Sequence, residues 1–577
     1  MKHKISLALV ALIAFSLALP ILVFAQQPSQ GSTRTPGRTE AAAPNRRTGV
    51  RSSGTTILTI DQDFKEALAL IRQNYIDGNK LDYNNVYKSS MTGMLRTLDP
   101  HSSYFDREEF EELKTDQRSE YFGIGATIQN YFIGEKIETY ITATFNHSPA
   151  WRGGLRFGDR IDAVDGVSMH GKPSADVRDK IRGPRDSHVK VTVTRAGTGN
   201  VETVEIVRSS VPQPSVPDYY FIRPGVGYVD MTRGFNYDTA EGLQDALDHL
   251  HQRGLNSLVL DLRGNPGGFL DSAIAVANTF LPQGQLILTQ KGRNGQSDRI
   301  YRSNNPEPDR TPLVILVNDF TASASEIVAG AMQDHDRALI VGQTSFGKGL
   351  VQSIINLPEG AGLTLTSAKY LTPSGRLIQR DYSEGGWYNY ISHGGTLREN
   401  GSGNSTPAGP ASRTDTGRPV YGGGGITPDE VVKEGTFTTP PRYYDSVELR
   451  FRHPVFFFAR ELVTGHVSGF EQYKNDRTLV FDHDIASDEF PVTDALFKAF
   501  SEYMGKNSAW QQLVPQLSRK RAFIEKELRF QLATASYGTV AALQVTTKED
   551  PQIAKAIDDM PRARELALSA MRLRTAP

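Results

Sequence analysis

One serine and one lysine in the middle of this sequence could form a nucleophile and its general base. Ser323 lies in Thr-Ala-Ser-Ala-Ser-Glu, and Lys348 is the only charged residue between positions 342 and 352. A serine hydroxyl is a weak nucleophile until a base within about 2.6–3.2 Å takes its proton. A lysine can be that base only as a neutral amine, and lowering its pKa from about 10.4 to about 7.5 disfavours the charged form by about 4 kcal/mol. We therefore predict that Lys348 is buried among uncharged neighbours and that Gln352 orients its amine.

The surroundings of Ser323 also predict where negative charge could be stabilised. A helical pattern begins at Ala324, so Ser323 would lie at a helix start, where the dipole and free N–H groups favour an anion. Residues 260–268, Leu-Asp-Leu-Arg-Gly-Asn-Pro-Gly-Gly, are typical of an apolar strand that ends in a turn of small residues. The amide of Ala324, with that of Gly267 or Gly268, is the candidate oxyanion hole.

These residues have competing interpretations. Ser323 and Glu326 fit S-x-x-E, a capping box in which the serine only starts a helix. Ser325 is a rival nucleophile, although its spacing to the lysine differs by two positions. Residues 342–348 fit the start of a phosphate-binding loop, G-x-x-x-x-G-K, but Gly349 stands where a Ser or Thr would bind magnesium. We therefore reject nucleotide binding and retain the serine–lysine pair.

The histidines do not form a better site. His249 and His251 are two positions apart and would diverge on a helix, and the sequence has no H-E-x-x-H motif. His101 follows Asp99-Pro100, which predicts a turn. Composition leaves a Ser-His-Asp triad open, but no motif positions one, and no metal site is predicted.

Length, charge and composition exclude several classes of protein. The chain has 577 residues, more than one hydrophobic core usually organises, so several domains are expected. The formal net charge of -1 does not suggest a nucleic-acid partner. Cysteine is absent, which excludes disulfides, thiolate nucleophiles and cysteine-ligated metal sites. No cofactor is predicted.

The N-terminus is typical of an export signal followed by a linker. Met-Lys-His-Lys precedes an apolar run at 5–24 that ends in residues suited to cleavage. This run is also long enough to anchor the chain in the inner membrane, although Pro20 favours a break. Residues 1–25 are predicted to be a signal peptide. Residues 26–56, rich in Ser, Thr, Gly, Pro and Arg, are predicted to be a flexible linker.

Hydrophobic periodicity divides the remaining chain into four segments. These are a helical region at 57–116, a β-rich domain at 117–209, an α/β core at 210–438 with a surface insertion at 383–419, and a helical extension at 439–577. Predicted helices lie at 63–75, 87–98, 239–253, 270–280, 324–332 and 510–532. Predicted strands lie at 189–194, 226–231, 257–262, 313–317 and 339–341.

Residues 120–209 resemble a PDZ domain. The resemblance rests on Tyr-Phe-Gly-Ile-Gly at 121–125, Ser-Pro-Ala at 148–150, Gly-Leu-Arg-Phe-Gly-Asp-Arg-Ile at 154–161 and Asp-Gly at 165–166. Successive N–H groups in such a glycine loop can hold a terminal carboxylate, and the neighbouring edge strand can pair with an extended peptide. The resemblance implies peptide binding at Gly123, Ile124 and Gly125. It also places Arg182 where some family members relay ligand occupancy to the active site.

Three motifs in order resemble the peptidase core of the C-terminal processing peptidases, S41-type serine peptidases with a PDZ domain. They are the motif at 260–268, Thr-Ala-Ser-Ala-Ser-Glu at 321–326 and Gly-Gln-Thr-Ser-Phe-Gly-Lys-Gly-Leu-Val-Gln at 342–352. In that family the lysine follows the serine by 25 positions and a glutamine follows the lysine by four; Ser323, Lys348 and Gln352 match both intervals. The resemblance, over about 61–432, implies a multidomain α/β protein. Its expected parts are a crotonase-like α/β peptidase core, an inserted, mostly β PDZ domain, and helical N- and C-terminal regions.

The resemblance implies an exported serine endopeptidase of the periplasm or cell envelope. Its PDZ domain would capture proteins or peptides with apolar C-termini, and its Ser/Lys dyad would cleave them without a cofactor. The alternative is a peptide-binding envelope protein whose core no longer cleaves. The extension beyond Thr438 departs from the simplest family members and could serve as a dimerisation element, an adaptor-docking surface or a lid.

Overall fold

The computed structural model describes residues 57–116, 120–383, 390, 409–433, 446–475, 479–481, 483–486 and 488–575. The chain divides into two compact units, residues 1–97 and 98–577. The predicted signal segment and linker lie outside the described residues. Across the described ranges, no helix combines the length and the apolar character needed to cross a membrane.

The described part of the first unit is helical. Ile57–Asn74 (α1) and Tyr83–Arg96 (α2) are joined through a 3-10 turn, Gly78–Lys80. Asp82 caps α2, since its carboxylate accepts the N–H of Asn85 at 3.2 Å. The two helices predicted for this region are therefore present, and each begins a few residues earlier than predicted.

The second unit contains both helices and strands. Its helices are Arg107–Asp116 (α3), Pro149–Arg152 (α4), Ser174–Ile181 (α5), Thr239–Gln252 (α6), Leu270–Phe280 (α7), Ala324–Asp334 (α8), Ser446–Val463 (α9), Asp494–Lys506 (α10), Arg521–Thr547 (α11), Pro551–Asp558 (α12) and Met560–Thr575 (α13). Its strands are Ser103–Phe105 (β1), Glu120–Gly123 (β2), Ala126–Ile133 (β3), Lys136–Thr144 (β4), Arg160–Val164 (β5), Val167–Ser168 (β6), His188–Thr194 (β7), Val201–Val207 (β8), Ser209–Pro212 (β9), Tyr219–Arg223 (β10), Val226–Asp230 (β11), Ser257–Asp261 (β12), Leu286–Gly292 (β13), Arg299–Arg302 (β14), Leu313–Val317 (β15), Ala338–Gly342 (β16), Leu350–Asn356 (β17), Gly362–Leu371 (β18), Ala411–Arg413 (β19), Pro419–Tyr421 (β20) and Glu430–Val431 (β21). Short 3-10 turns lie at Arg293–Gly295, Glu471–Tyr473, Gln511–Gln516 and Ser518–Lys520.

A six-stranded sheet in the order β10-β11-β12-β15-β16-β21 forms the core of the second unit. Neighbouring strands are parallel from β11 to β21. The strands β12, β15 and β16 are buried along their whole length, because helices cover both faces. Leu258 and Leu260 pack with α6, α7 and α8, whereas Val259 between them packs with α12 and α13.

The carboxyl ends of three central strands lie at one edge of this sheet. Residues 262–268 follow β12, Ser323 lies between β15 and α8, and Lys348 lies between β16 and β17. In open parallel sheets, the loops at this edge form the functional sites. The topology therefore brings the three sequence motifs to the same edge.

A second sheet, in the order β1-β18-β13-β14, lies beside these loops. Its strand β18 also pairs antiparallel with β17, which carries Gln352. Strand β1 pairs with β18 directly after the turn at 99–102. The N-terminal turn is thereby attached to β18, the neighbour of the strand β17 that follows Lys348.

The β-rich segment is built on the antiparallel sheet β3-β4-β5-β7-β8, with β6 paired to β5. Its core includes Ile141, Leu155 and Val191, all fully buried. Strand β3 ends the sheet, so its outer edge has no strand partner among the described residues. Strands β2 and β9, at the two ends of the segment, pair with each other, which lets the segment be inserted into the rest of the chain.

The helical extension packs against both the β-rich segment and the central sheet. Tyr131 of β3 stacks on Phe456 of α9, with ring centroids 3.6 Å apart and an interplanar angle of 7°. Phe157 lies in the same buried cluster, together with side chains of α10 and α11. The helices α12 and α13 cover the face of the central sheet opposite α6, α7 and α8.

Most predicted elements are present, and one prediction is wrong in its first half. The helix predicted at 510–532 begins only at Arg521, because Gln511–Gln516 and Ser518–Lys520 are 3-10 turns. Pro515 explains the difference, since proline has no N–H to donate within an α-helix. Most of the insertion predicted at 383–419 lies outside the described residues.

Replacing Phe456 by alanine should lower the free energy of unfolding by about 3–5 kcal/mol, because the cavity would open in the centre of a stacked aromatic cluster. Urea unfolding followed by circular dichroism measures this loss. The control is Leu449→Ala, at an exposed position of the same helix, which should cost less than about 1 kcal/mol. Equal losses in the two variants would contradict the packing of α9 on β3.

Candidate active site

Ser323 lies on a sharp turn between β15 and α8. Its backbone has φ 57° and ψ -115°, a conformation that residues with a side chain rarely adopt. Gly267 lies directly against this turn: a Cβ there would be 2.7 Å from both the Ser323 Cβ and the Ala322 oxygen. The turn motif at 321–326 and the glycine motif at 260–268 therefore depend on each other sterically.

The buried carboxylate of Glu326 joins the serine turn to the lysine loop. One oxygen accepts the N–H groups of Ser323 and Lys348, both at 2.8 Å. The other accepts the Ser345 hydroxyl and the Gly347 N–H, the latter at 2.7 Å. Burial raises the pKa of Glu326, and these four hydrogen bonds oppose that rise. The S-x-x-E pattern thus caps the helix, as one interpretation predicts, and also ties Ser323 to the backbone of Lys348.

Tyr370 of β18 makes a second connection between the two segments. Its hydroxyl lies 3.0 Å from the Ser323 carbonyl oxygen and 2.9 Å from the Lys348 carbonyl oxygen, both of which accept from it. The ring is buried in the main core cluster. The backbones of Ser323 and Lys348 are therefore held close together by two independent side chains, Glu326 and Tyr370.

Burial lowers the pKa of Lys348 to about 8, in the direction that a general base requires. The expectation of uncharged surroundings is wrong, however, because Glu326 and Asp99 lie close enough to raise the pKa of the amine against this effect. Among the described residues, no hydrogen bond joins the Ser323 hydroxyl to the Lys348 amine. Catalytic hydrogen bonds often tighten only when substrate binds, so a direct contact between the two groups would have to form in the substrate complex.

The candidate oxyanion donors differ in whether their N–H groups are occupied. The Gly267 N–H donates to the Asn265 side-chain oxygen at 2.8 Å, so it is committed within its own loop. Among the described residues, the N–H groups of Ala324 and Gly268 donate to no protein acceptor. Gly268 has φ 147°, and a Cβ there would be 2.0 Å from the Phe235 oxygen. Ala324 and Gly268 are therefore the stronger pair of candidates.

Gln352 contacts a neighbouring strand instead of the lysine amine. Its side-chain nitrogen donates to the Thr366 hydroxyl at 3.3 Å. The Thr366 N–H in turn donates to the Ser102 hydroxyl at 3.1 Å. In this conformation Gln352 therefore links β17 to the N-terminal turn, and its predicted orienting role stays a prediction.

The turn at 99–102 is a part of the site that the sequence argument missed. The Asp99 carboxylate accepts the N–H groups of His101 and Ser102 and the Ser102 hydroxyl. His101 lies 2.7 Å, through its Nε2, from the Tyr390 hydroxyl. Burial and the nearby Lys348 lower the pKa of His101 to about 3, so its imidazole is neutral. Asp-Pro-His-Ser indicates only a turn, and no spacing in the sequence connects it to position 348.

The groups on which the rejected alternatives depend make other contacts in the structure. Ser325 is fully buried, and its hydroxyl donates to the Asn265 carbonyl at 3.1 Å. The N–H groups of Gly347 and Lys348, which a phosphate-binding loop would offer to a nucleotide, donate to Glu326. Within the described ranges, no group of His, Asp and Glu side chains is arranged to hold a metal ion.

The predicted peptide-binding residues lie between two strands: Gly123 ends β2, and Ile124 and Gly125 connect it to the edge strand β3. The carbonyls of Ile124 and Gly125 accept the N–H groups of Ala150 and Phe145, which anchors the loop. Gly125 has φ 72°, and a Cβ there would be 2.3 Å from that of Ser148, so only glycine fits. These contacts use carbonyl oxygens of the loop, and the predicted role of the loop in peptide binding stays a prediction.

Arg182 lies apart from this loop. It ends α5, and its guanidinium is 3.9 Å from the Glu112 carboxylate of α3. The contact joins the β-rich segment to the helix that follows β1. Its predicted role in relaying ligand occupancy stays a prediction.

Comparison with known proteins gives two family matches. "Peptidase family S41" matches residues 225–384 and "PDZ domain" matches residues 145–195. The first range contains Ser323, Lys348 and Gln352. The second contains Arg182 but begins after the loop at 123–125.

Several curated relatives match more than half of this chain. A carboxy-terminal-processing protease of Bartonella bacilliformis is 36% identical over 304 residues, which are 52% of this chain and 68% of the relative. The carboxy-terminal processing protease CtpA of Bacillus subtilis is 33% identical over 334 residues, which are 58% of this chain and 69% of the relative. Among solved structures, a photosystem II D1 C-terminal processing protease is 26% identical, with a TM-score of 0.33 over 64% of this chain and 92% of that structure. The chain therefore belongs to the carboxy-terminal processing protease family, serine peptidases of family S41 that carry a PDZ domain.

Proposed function

We propose that this peptidase is an exported endopeptidase in which Ser323 is the nucleophile and Lys348 its general base. One observation carries the proposal. The amine of Lys348 is buried so that its pKa falls to about 8, while Glu326 holds the backbone of both residues on one carboxylate. A lysine with that pKa is partly neutral at physiological pH, which is the state a base must have.

The proposed reaction is acyl transfer in two steps. The Lys348 amine takes the Ser323 proton as the hydroxyl oxygen attacks the scissile carbonyl carbon, and it then gives that proton to the leaving amine. The N–H groups of Ala324 and Gly268 receive the negative charge that forms on the carbonyl oxygen. A water molecule deprotonated by Lys348 then hydrolyses the acyl ester and restores the serine. Since the hydroxyl and the amine are not hydrogen-bonded here, substrate binding has to bring them together.

The proposed substrates are proteins or peptides with apolar C-termini, captured by the PDZ domain. The glycine loop at 123–125 lies before the unpaired edge of β3, and α5 is attached to that strand through the Ser174 N–H, which donates to the Asn130 oxygen at 2.6 Å. An edge strand and a helix beside it form the groove into which an extended peptide adds as a further strand. No cofactor enters this mechanism.

The fold type of the core, the domain bounds and the location of the protein belong to the same proposal. We infer a crotonase-like α/β core at 210–438, a PDZ domain at 117–209, and export to the periplasm or cell envelope by residues 1–25. Self-association or adaptor binding through the extension at 439–577, which departs from the simplest family members, is part of the same proposal.

One observation favours a competing function, a PDZ protein that binds peptides without cutting them. It is the absence, among the described residues, of a hydrogen bond between Ser323 and Lys348. Against it stands the burial of the Lys348 amine, which costs stability and brings no evident benefit to a protein that only binds. The two functions differ in a single measurement, the cleavage of an unfolded protein.

Ser323→Ala and Lys348→Ala should each lower kcat for an unfolded protein with an apolar C-terminus by more than about 1000-fold, because each removes a group that takes part in bond breaking. Lys369→Ala, an exposed lysine on β18, is the matched control and should stay within about twofold of wild type. Binding of the same substrate, followed by fluorescence anisotropy, should persist in all variants. Undiminished cleavage in both dyad variants would exclude the proposed mechanism.

The pH profile of kcat/KM should have an ascending limb with its midpoint near pH 8, since only the neutral amine of Lys348 accepts a proton. Below the midpoint the rate should fall about tenfold per pH unit. Glu326→Gln removes a charge that raises the pKa of this amine, so the midpoint should move to lower pH. Glu359→Gln, at an exposed turn, should leave it in place, and an alkaline shift in Glu326→Gln would contradict this assignment.

Amidation of the substrate C-terminus should lower kcat/KM by about tenfold or more, because it removes the carboxylate that the N–H groups of the glycine loop would bind. The control is a short internal peptide around the cleaved bond, with and without an amidated end, whose turnover should not depend on the terminus. Equal turnover of the amidated and the unmodified protein substrate would show that the enzyme does not recognise the C-terminal carboxylate.

A further inference from the structure

A buried arginine connects the oxyanion loop to the helical extension. Arg263 lies two residues after the end of β12 and is 3% exposed. Its guanidinium pairs with Asp261 through two nitrogens, at 2.9 and 2.6 Å. The remaining nitrogen donates to Asp550 at 2.7 Å and to Gln552 at 2.8 Å. Two of the guanidinium's three partner residues therefore come from a segment almost 290 positions further along the chain.

The two partner residues are themselves held rigidly. Asp550 caps α12, because its other oxygen accepts the N–H groups of Gln552 and Ile553. The Gln552 side-chain nitrogen donates to the Val432 carbonyl at 2.7 Å, next to β21. Ile553 packs in the cluster beneath the central sheet. Because the Asp550 and Gln552 side chains each make a further hydrogen bond, their orientation toward Arg263 is fixed.

The loop that begins at Arg263 carries the candidate oxyanion donor. Asn265 holds it against the nucleophile turn: its carbonyl accepts the Ala322 N–H at 2.9 Å and the Ser325 hydroxyl. Its side chain positions the Gly267 N–H, directly before Gly268. A shift of Arg263 would therefore be transmitted within five residues to the Gly268 N–H.

We propose that Asp550 and Gln552 are positioning residues for catalysis, which hold the oxyanion loop in place through Arg263. The inference rests on the proposed function, because it assigns the Gly268 amide to the reaction. A buried guanidinium that loses one partner has to move or admit water, since an unpaired buried charge is costly. The extension beyond Thr547 thereby supports the oxyanion loop from outside the site.

The experiment compares Asp550→Asn and Gln552→Met in the full chain. Asparagine caps a helix as well as aspartate does, so the first change removes the charge facing Arg263 and keeps α12 capped. We expect kcat to fall by about tenfold or more with KM little changed, because the oxyanion exists only in the transition state. The inhibition constant of a peptide aldehyde, whose adduct places an oxygen in the oxyanion hole, should rise by a similar factor.

Two controls separate positioning from general destabilisation. Ile553→Val weakens the packing of the same helix without touching Arg263, so it should lower Tm but leave the ratio of aldehyde affinity to KM unchanged. Arg562→Gln breaks an exposed ion pair with Glu430 and should change neither quantity. A wild-type ratio in both Asp550→Asn and Gln552→Met would overturn the proposal.

Hydrogen exchange of residues 262–268 supplies a readout that does not need activity. We expect faster exchange in Asp550→Asn than in Ile553→Val at matched stability. Inactivity of the wild-type protein would refute the proposed function, whereas unchanged exchange of the loop would refute the positioning role by itself. If Asp550→Asn and Gln552→Met both fail to fold, Asp550→Glu serves as the third variant. It keeps the charge and lengthens the side chain, so it displaces Arg263 without leaving it unpaired. Unaltered loop exchange and kcat in that variant would also overturn the proposal.

Discussion

The buried carboxylate of Glu326 is the interaction on which the rest of the site depends. Removing a carboxylate from water costs several kcal/mol unless hydrogen bonds replace those of the solvent. Here the four donors come from two different segments, the turn at Ser323 and the loop at 345–348. The carboxylate is therefore satisfied only when these segments are adjacent. The same contacts that make this burial tolerable also hold the backbone of the proposed nucleophile close to that of the proposed base.

Glu326 and Asp99 give the Lys348 amine an intermediate basicity. Burial alone would lower the pKa further, and the two carboxylates oppose it, so the pKa settles at about 8. A group that first removes a proton from the serine and then returns one to the leaving amine works best when its pKa is near the working pH. An entirely uncharged pocket, which the sequence suggests, would provide the neutral amine but a poorer acid. The observed balance suits both halves of a reaction cycle.

Sequence reasoning succeeded where a local pattern has a local cause. The strand at 313–317 and the helix at 270–280 have the predicted bounds, because continuous apolar runs and amphipathic periods depend on neighbouring residues alone. It failed where the cause is distant along the chain. Pro515 aside, the clearest cases are Asp99, which is brought to the site by the pairing of β1 with β18, and Tyr370, which is brought there by the pairing of β18 with β17. For Glu326 the sequence predicts only the helix cap. Its contacts with the loop at 345–348 are missed, since a capping pattern does not reveal which other N–H groups the carboxylate will accept.

The C-terminal extension covers one hydrophobic face of the central sheet. The strands β12, β15 and β16 carry apolar side chains on both faces, and only one face is covered by the helices that lie between them in sequence. The side chains of Val259, Val314 and Leu316 on the other face are buried against α12 and α13. Without those helices this face would expose contiguous apolar surface at the strands whose ends carry the catalytic motifs. A core with these strands therefore requires a cover, and the C-terminal helices that supply it also bring Asp550 and Gln552 to Arg263.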